Sequence, residues 1–236
     1  MKKIISKVQA AINKYDMIEN GDKIAVGLSG GKDSVTLLYV LSKIRTFGDA
    51  EFNIKAITLD PCFYDKFTDY SEITELCDRL GIEHIIKRHP VWKIVFEVRN
   101  EKNPCSLCSR MRHGILHNIC NEQGCNKIAL GHNSDDAVET FLMNIFYGGR
   151  ISTFSPKSYL SRKNLHMIRP LIFCGESEIR KFAEDNSLSI CRSPCPKDKN
   201  SARETTKKLI ESLEKSYPNL KKRIFNTIKS EHISQW

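Results

Sequence analysis

Short apolar runs alternate with longer amphipathic stretches along most of this chain. Near the N-terminus, Ile4, Ile5, Val8, Ala11 and Ile12 recur at helical spacing among charged residues and predict an amphipathic helix. Ile24-Ala-Val-Gly-Leu28 reads as a strand. It runs into Gly30-Gly31 and then a helix whose buried stripe is Val35, Leu37, Leu38, Val40, Leu41 and Ile44. A second strand, 52–59, ends at Asp60-Pro61, and a helix around 70–80 closes at Gly81. The third strand is 82–86. A cysteine-bearing loop then opens a helix through 110–120, which Gly124 ends. The fourth strand is 127–130. The helix over 135–146 carries Val138, Phe141, Leu142, Ile145 and Phe146 on one face. Residues 168–172 read as extended and 176–186 as helical. From about Ala202 the tail is helical, rich in Lys and Arg, with Pro218 as a break.

Strands alternating with helices predict an α/β fold with a parallel sheet covered on both faces. Ligands in such sheets bind beyond the carboxyl ends of the strands. The loops after Leu28, Leu59 and Leu130 are therefore where function is expected.

Composition narrows this further. The chain has 236 residues, enough for one large domain or a domain with a small annex. It contains no run of apolar residues long enough for a membrane span, and its N-terminus is too charged for a secretory segment. A cytoplasmic protein without a membrane partner is expected. Its nine cysteines would then stay reduced or bind metal. Lys plus Arg number 37 against 28 Asp plus Glu, a net charge of +9, which favours a polyanionic partner.

Leu28-Ser-Gly-Gly-Lys-Asp-Ser34 sits between the first strand and its helix. Gly30 and Gly31 let the backbone approach a ligand, the helix N-terminus favours an anion, and Ser29 and Ser34 add hydroxyls. The spacing is neither a Walker A loop nor a dinucleotide fingerprint. Lys32 could supply charge, although its direction is not deducible. Asp33 repels bare phosphate and makes sense if Mg2+ bridges it to a nucleotide. Leu130-Gly-His-Asn-Ser-Asp-Asp-Ala-Val-Glu-Thr140 places Asp135 and Asp136 at another helix start. Two acids there complement the helix dipole; beside a phosphate loop they also fit a shared Mg-nucleotide site.

Cys105 and Cys108 form a CxxC pair. The compartment disfavours a disulfide. Structural zinc needs four Cys or His ligands, for which His113 and His117 lie near. An iron–sulfur cluster is the third choice. Cys62, Cys77, Cys120, Cys125 and Cys174 read as small buried hydrophobes, with Cys62 near a strand end.

These motifs carry a resemblance. "SGGKDS" resembles the PP-loop of the ATP-pyrophosphatases, and "GHNSDDAVET" resembles the second motif of their tRNA-modifying branch. With "CSLCSR", "FYGGR", "RPL" and the late CP…R…K pattern, nearly the whole chain is similar to the tRNA 2-thiocytidine synthetases. The resemblance implies a PP-loop ATP-pyrophosphatase domain, Rossmann-like and of adenine nucleotide alpha-hydrolase type, with a C-terminal helical segment. Its expected divisions are an N-terminal helix (1–20), the PP-loop domain carrying the iron–sulfur site (21–200) and a basic helical segment (201–236).

The implied reaction is ATP-dependent tRNA thiolation, with adenylation of the C2 oxygen of a pyrimidine, cytidine 32 by family likeness, and its replacement by sulfur. A 2-thiouridine product and a cluster-dependent sulfur-trafficking or desulfidase role are the alternatives. The resemblance further implies a 4Fe–4S cluster on Cys105, Cys108 and Cys195, the last preceding Pro196 and read from Arg203 and Lys207 downstream. Cys191 is an alternative, because members often show CxxC where this chain has Cys191-x3-Cys195. ATP and Mg2+ would meet Gly27, Leu28, Ser29, Gly30, Gly31, Lys32, Asp33 and Ser34. Gly27, Leu59 and Gly131 would line the adenosine pocket, Asp136 would assist Asp33 with Mg2+, and Arg112 matches a nucleotide-contacting position. A sulfide or persulfide donor such as a cysteine desulfurase is implied, and the family tends to form homodimers. Arg150 and Arg169 are expected near the substrate. Lys207, Lys208, Lys215, Lys221, Lys222, Arg223 and Lys229 are expected to supply phosphate contacts.

Overall fold

The computed structural model describes residues 2–48, 50–100, 103–191, 194–195 and 201–236. The expected boundary at 200 and the proline after Cys195 lie outside the described residues. The elements in chain order are α1 (Lys2–Lys14), β1 (Lys23–Gly27), α2 (Lys32–Phe47), β2 (Asn53–Asp60), α3 (Ser71–Arg79) and β3 (Glu83–Arg88). There follow α4 (Pro104–Glu122), β4 (Lys127–Ala129), α5 (Ser134–Gly148), β5 (Lys157–Leu160), β6 (Leu165–Ile168), α6 (Glu176–Asp185), α7 (Ala202–Ser216) and α8 (Leu220–Ser230).

Six strands form one sheet in the order β3-β2-β1-β4-β6-β5. All neighbours are parallel except the β5–β6 pair. Side chains alternate between the two faces, as strand geometry requires. Ile24 and Val26 of β1 face the larger core, while Ala25 faces a smaller one under α4 with Ile57, Leu116, Ile119 and Ile128. The larger core also takes Ile4, Val8 and Ile12 from α1, Ile210 from α7, Ile228 from α8 and Trp236. Strand order reverses between β1 and β4, and there the sheet opens a crevice at its carboxyl edge.

Three expectations change. The expected extended stretch at 168–172 is the end of β6 followed by a 3-10 turn, Pro170–Phe173, because Pro170 removes a ladder donor. The helix expected from Arg110 begins at Pro104, so the CxxC pair is helical. Proline at the first helical position is preorganised for that start. On α5 only Val138 of the expected stripe is buried; Phe141 and Leu142 pack partly, while Ile145 and Phe146 are exposed. Arg169 is buried, its guanidinium donating to Ser155 O and lying 4.8 Å from the Phe154 ring centroid, close enough to the cavity to act on His132 and His113, which line it.

Candidate active site at the switch point of the sheet

β1 ends at Gly27, and the chain turns through Leu28, Ser29 and Gly30 into α2, capped by Gly31. Ser34 closes the loop from the first helical turn. Its hydroxyl donates to Gly31 O (2.9 Å) and accepts from the Ser29 N–H (3.1 Å). Gly30 has φ +83°, and a Cβ there would stand 2.9 Å from Cys191 Cβ. The Cys191 N–H donates to Gly30 O at 2.9 Å. Only glycine meets both the left-handed backbone and the close approach.

The loop after β4 lies against this turn. A Cβ on Gly131 would come within 3.0 Å of the Asp33 carbonyl carbon and the Ser34 nitrogen. Asn133 caps α5: its side-chain oxygen accepts from the Asp135 and Asp136 N–H groups, and Asp136 returns the bond to the Asn133 N–H. Asn133 Nδ2 also reaches Asp33 Oδ1 at 3.3 Å, tying together the two helix starts. Two helix N-termini thus converge on one crevice, and both favour an anion.

The carboxylates are held by basic partners. Lys32 Nζ lies 2.9 Å from Asp33 Oδ2 and 3.1 Å from Glu176 Oε1. Glu176 also binds Lys207 at 2.6 Å. Burial alone would raise the Glu176 carboxyl, but Lys207 and Lys32 outweigh it and hold it down at about 2. Arg203 sits 2.7 Å from Asp136 and 3.5 Å from buried Glu139. Burial raises Asp136 against the pull of Arg203. Burial, with Asp136 adding to it, pushes Glu139 to about 7.

A cavity of about 440 Å³ fills the crevice. The glycine loop and α2 contribute Gly27, Leu28, Ser29, Asp33 and Ser34. Leu59 closes the β2 side, and Gly131 with Asp136 the β4 side. From α4 come Cys105, Cys108 and Arg112, and Cys195 reaches the same space. Gly30, Gly31 and Lys32 do not line it. Neither does Cys191, which lies on the far side of Gly30 with its sulfur 3.7 Å from Asp69 O.

Cys105 and Cys108, three apart in the first turn of α4, fall on one helix face, and Arg112 is one turn on. Burial raises the Cys108 thiol, while the Arg112 guanidinium pulls it back towards the thiolate. Among the described residues no group of His, Cys, Asp or Glu converges as a single metal ion would require. A cluster takes each thiolate on a different iron, so its ligands must stand around one space; Cys105, Cys108 and Cys195 line this cavity together, and Cys108 is close enough to feel the charge of both others. His113 and His117 stack one turn apart on α4, with ring centroids 6.1 Å apart, and only His113 lines the cavity. The five cysteines read as core residues are all buried.

Lining residues that the sequence did not single out include Phe96, which lies in no motif, and His132, which lies within the second motif without an assigned role. Phe96, from a π-helical segment (Lys93–Val98), borders the cavity, as does His132. Burial, with Arg169 and Arg203 adding, takes His132 down to about 3, so it is a neutral imidazole. Asn133 was legible only as an Asn three residues before Asp136, the spacing of a capping box.

The tail is less free than its composition implies. Lys207 is paired with Glu176, Lys221 lies 3.1 Å from Asp135, and Lys229 sits over the Phe173 and Phe225 rings. Lys208, Lys215, Lys222, Arg223 and Arg150 are exposed.

Comparison with known proteins decides the lineage. A family model described as a PP-loop domain matches residues 1–212. A tRNA-cytidine(32) 2-sulfurtransferase of Coxiella burnetii is 39% identical over 99% of this chain and 91% of its own length. This chain belongs to the PP-loop family and, within it, to the family of the tRNA-cytidine(32) 2-sulfurtransferases. The enzyme of that name from Saccharophagus degradans is 37% identical over 99% of this chain and 76% of its own. Among solved structures, the U34-tRNA thiolase NcsA from Methanococcus maripaludis, with its [4Fe-4S] cluster, superposes with a TM-score of 0.79. It shares 30% identity over 99% of this chain and 79% of its own. An NH3-dependent NAD synthetase from Campylobacter jejuni, 18% identical with a TM-score of 0.51 over 97% of this chain and 91% of its own, shares the fold. Among the described residues no helix is long and apolar enough to cross a membrane.

Proposed function

We propose that this protein is an ATP-dependent tRNA sulfurtransferase that adenylates the C2 oxygen of cytidine 32 and replaces that oxygen with sulfur. The observation that supports it most is one cavity bordered by both a PP-loop and three cysteine thiols. Relatives 37–39% identical over almost the whole chain are named for this reaction.

The chemistry needs a leaving group and a nucleophile in one place. A pyrimidine C2 oxygen leaves poorly; carrying AMP, it leaves as phosphate-stabilised oxygen. The N–H groups at the start of α2 bind the phosphates and stabilise charge as pyrophosphate departs. Gly27, Leu59 and Gly131 border the adenosine. Asp33 and Asp136, now paired with Lys32 and Arg203, would hold Mg2+, a hard cation that takes few carboxylates and would supply neutralisation of phosphate charge. Asn133 orients Asp33, and Arg112 faces the nucleotide from α4.

Cys105, Cys108 and Cys195 are the ligands we assign to a [4Fe-4S] cluster. When bound, such a cluster held by three thiolates supplies an iron with an open position for exogenous sulfide. Arg112 lies one turn beyond Cys108, where its charge offsets part of the cost that burial puts on the Cys108 thiolate. Free sulfide provides the sulfur directly; persulfide sulfur from a cysteine desulfurase must first be reduced by two electrons, from a thiol reductant, to the sulfide level. ATP, oxygen at C2 and sulfide give thiolated tRNA, AMP and pyrophosphate, with no net redox change.

Anaerobically purified protein with Mg-ATP, sulfide and unmodified tRNA is expected to yield 2-thiocytidine and AMP. It should contain about four irons per chain with matching acid-labile sulfide, and Cys105→Ala should lose both cluster and product. Full product formation by Cys105→Ala, or normal ATP turnover by Asp33→Ala, refutes the assignment; a 2-thiouridine product refutes the choice of base.

A further inference from the structure

Beyond the cavity, the loop after β2 is organised around one buried carboxylate. Asp60 is fully buried, and its oxygens accept from the Cys62 N–H and the Thr68 N–H, both at 3.0 Å. Within the loop, Cys62, Tyr64 and Asp65 have φ of 53°, 56° and 54°. A bulky residue in the left-handed region is disfavoured, because its Cβ crowds the following carbonyl oxygen. Tyr64 recovers little of that through burial, since it is 52% exposed.

The geometry gives the ring another use. The Tyr64 ring centroid is 4.6 Å from that of Trp92, and Trp92 stacks on Phe96 at 4.1 Å and 22°. Phe96 borders the cavity next to Cys105. A file of three rings therefore runs from the cavity to the surface. Three residues on in the same loop, Phe67 is 68% exposed, with the Arg88 guanidinium 4.4 Å from its centroid. Lys66 and Lys93 are exposed there too; of the local acids, Asp65 stands 4.0 Å from Lys93 and Glu97 is exposed.

We propose that Tyr64 and Phe67, backed by Trp92 and Phe96, form a stacking platform for the unpaired bases that flank the target base of the tRNA loop. This rests on the tRNA reading above. A base can enter the cavity only by leaving its stack, and its neighbours then need another surface to stack on. Exposed π-faces beside cations are the chemistry that recognises single-stranded RNA, where bases are splayed and phosphates lie close. Stacking on Tyr64 places the flanking nucleotide at the outer end of the ring file and the reacting base at its inner end.

Fluorescence anisotropy of a labelled anticodon stem-loop RNA tests this on the full chain, with a fully paired RNA of equal length as control. Tyr64→Asn and Phe67→Ala should each weaken loop-RNA binding roughly tenfold. Paired-RNA binding and Mg-ATP affinity should not change, and Tyr64→Trp should retain wild-type affinity. Asparagine accepts left-handed backbone better than tyrosine, so Tyr64→Asn should melt no lower than wild type; a merely structural tyrosine would lower the melting point. Unchanged loop-RNA binding in both variants overturns the platform. So does a changed oligomeric state in sedimentation, which would make this face a contact between copies. Loss of binding to a sulfur-donor protein with RNA affinity intact overturns it equally. If Tyr64 controls loop-RNA affinity while no cytidine is thiolated, the reaction assigned above fails and the platform stands.

Discussion

Glu176 shows how much of the site is set by single side chains. It accepts Lys32 from the glycine loop and Lys207 from the tail, and its carboxyl is held at about 2 against an ordinary value of 4.5. A depressed carboxylate contributes stability that is present above the unfolded value and is lost as pH falls through the folded one. Glu176→Gln is therefore expected to cost on the order of 2–3 kcal/mol near neutral pH, and the deficit should shrink as pH falls from about 4.5 towards about 2. Urea titrations of both proteins across that range check it; a deficit independent of pH would deny the ion pairs their role. The residue type of Lys32 was legible in the sequence, but its direction was not. The partner that orients it, Glu176, is far along the chain, and no local pattern links the two.

At the scale of elements, the loop between β1 and α2 depends on what packs over it. Gly30→Ala places a Cβ 2.9 Å from Cys191 Cβ in a left-handed backbone. A loss of about 2 kcal/mol and weaker Mg-ATP binding are expected, measured by thermal denaturation and calorimetry. Normal melting and nucleotide affinity would show that the segment ending at Cys191 is not held against the loop. Four parallel strands and the helices between them were readable because each apolar run ends at Gly, Asp-Pro or a capping residue. The β5–β6 hairpin was not. Lys157–Leu160 is mixed in polarity at a sheet edge, and its pairing with Leu165–Ile168 is fixed by register and not by composition. The π-helical segment that carries Phe96 also lacks a local signature; it is seen only where Trp92 stacks across it.

At the scale of the whole molecule, the net charge of +9 overstates what a polyanion meets. Lys207 and Lys221 are committed to Glu176 and Asp135, which leaves Lys208, Lys215, Lys222 and Arg223 exposed on the tail helices. If these carry the phosphate contacts, the logarithm of tRNA affinity should fall with the logarithm of salt at a slope of about −3. Titration from low to physiological salt measures it, and a flat response would remove the tail from RNA binding. The sequence by itself determined the alternation of strands and helices, the glycine loop, the acidic helix start and the CxxC pair, because each is a local pattern with a local physical cause. Only the tertiary structure decided that Cys195 and not Cys191 borders the cavity with Cys105 and Cys108, that Lys32 turns to Glu176, and that a file of aromatic rings leads outward from the crevice. Those outcomes depend on contacts between residues distant in sequence, which the strand order 3-2-1-4 brings to one edge of the sheet.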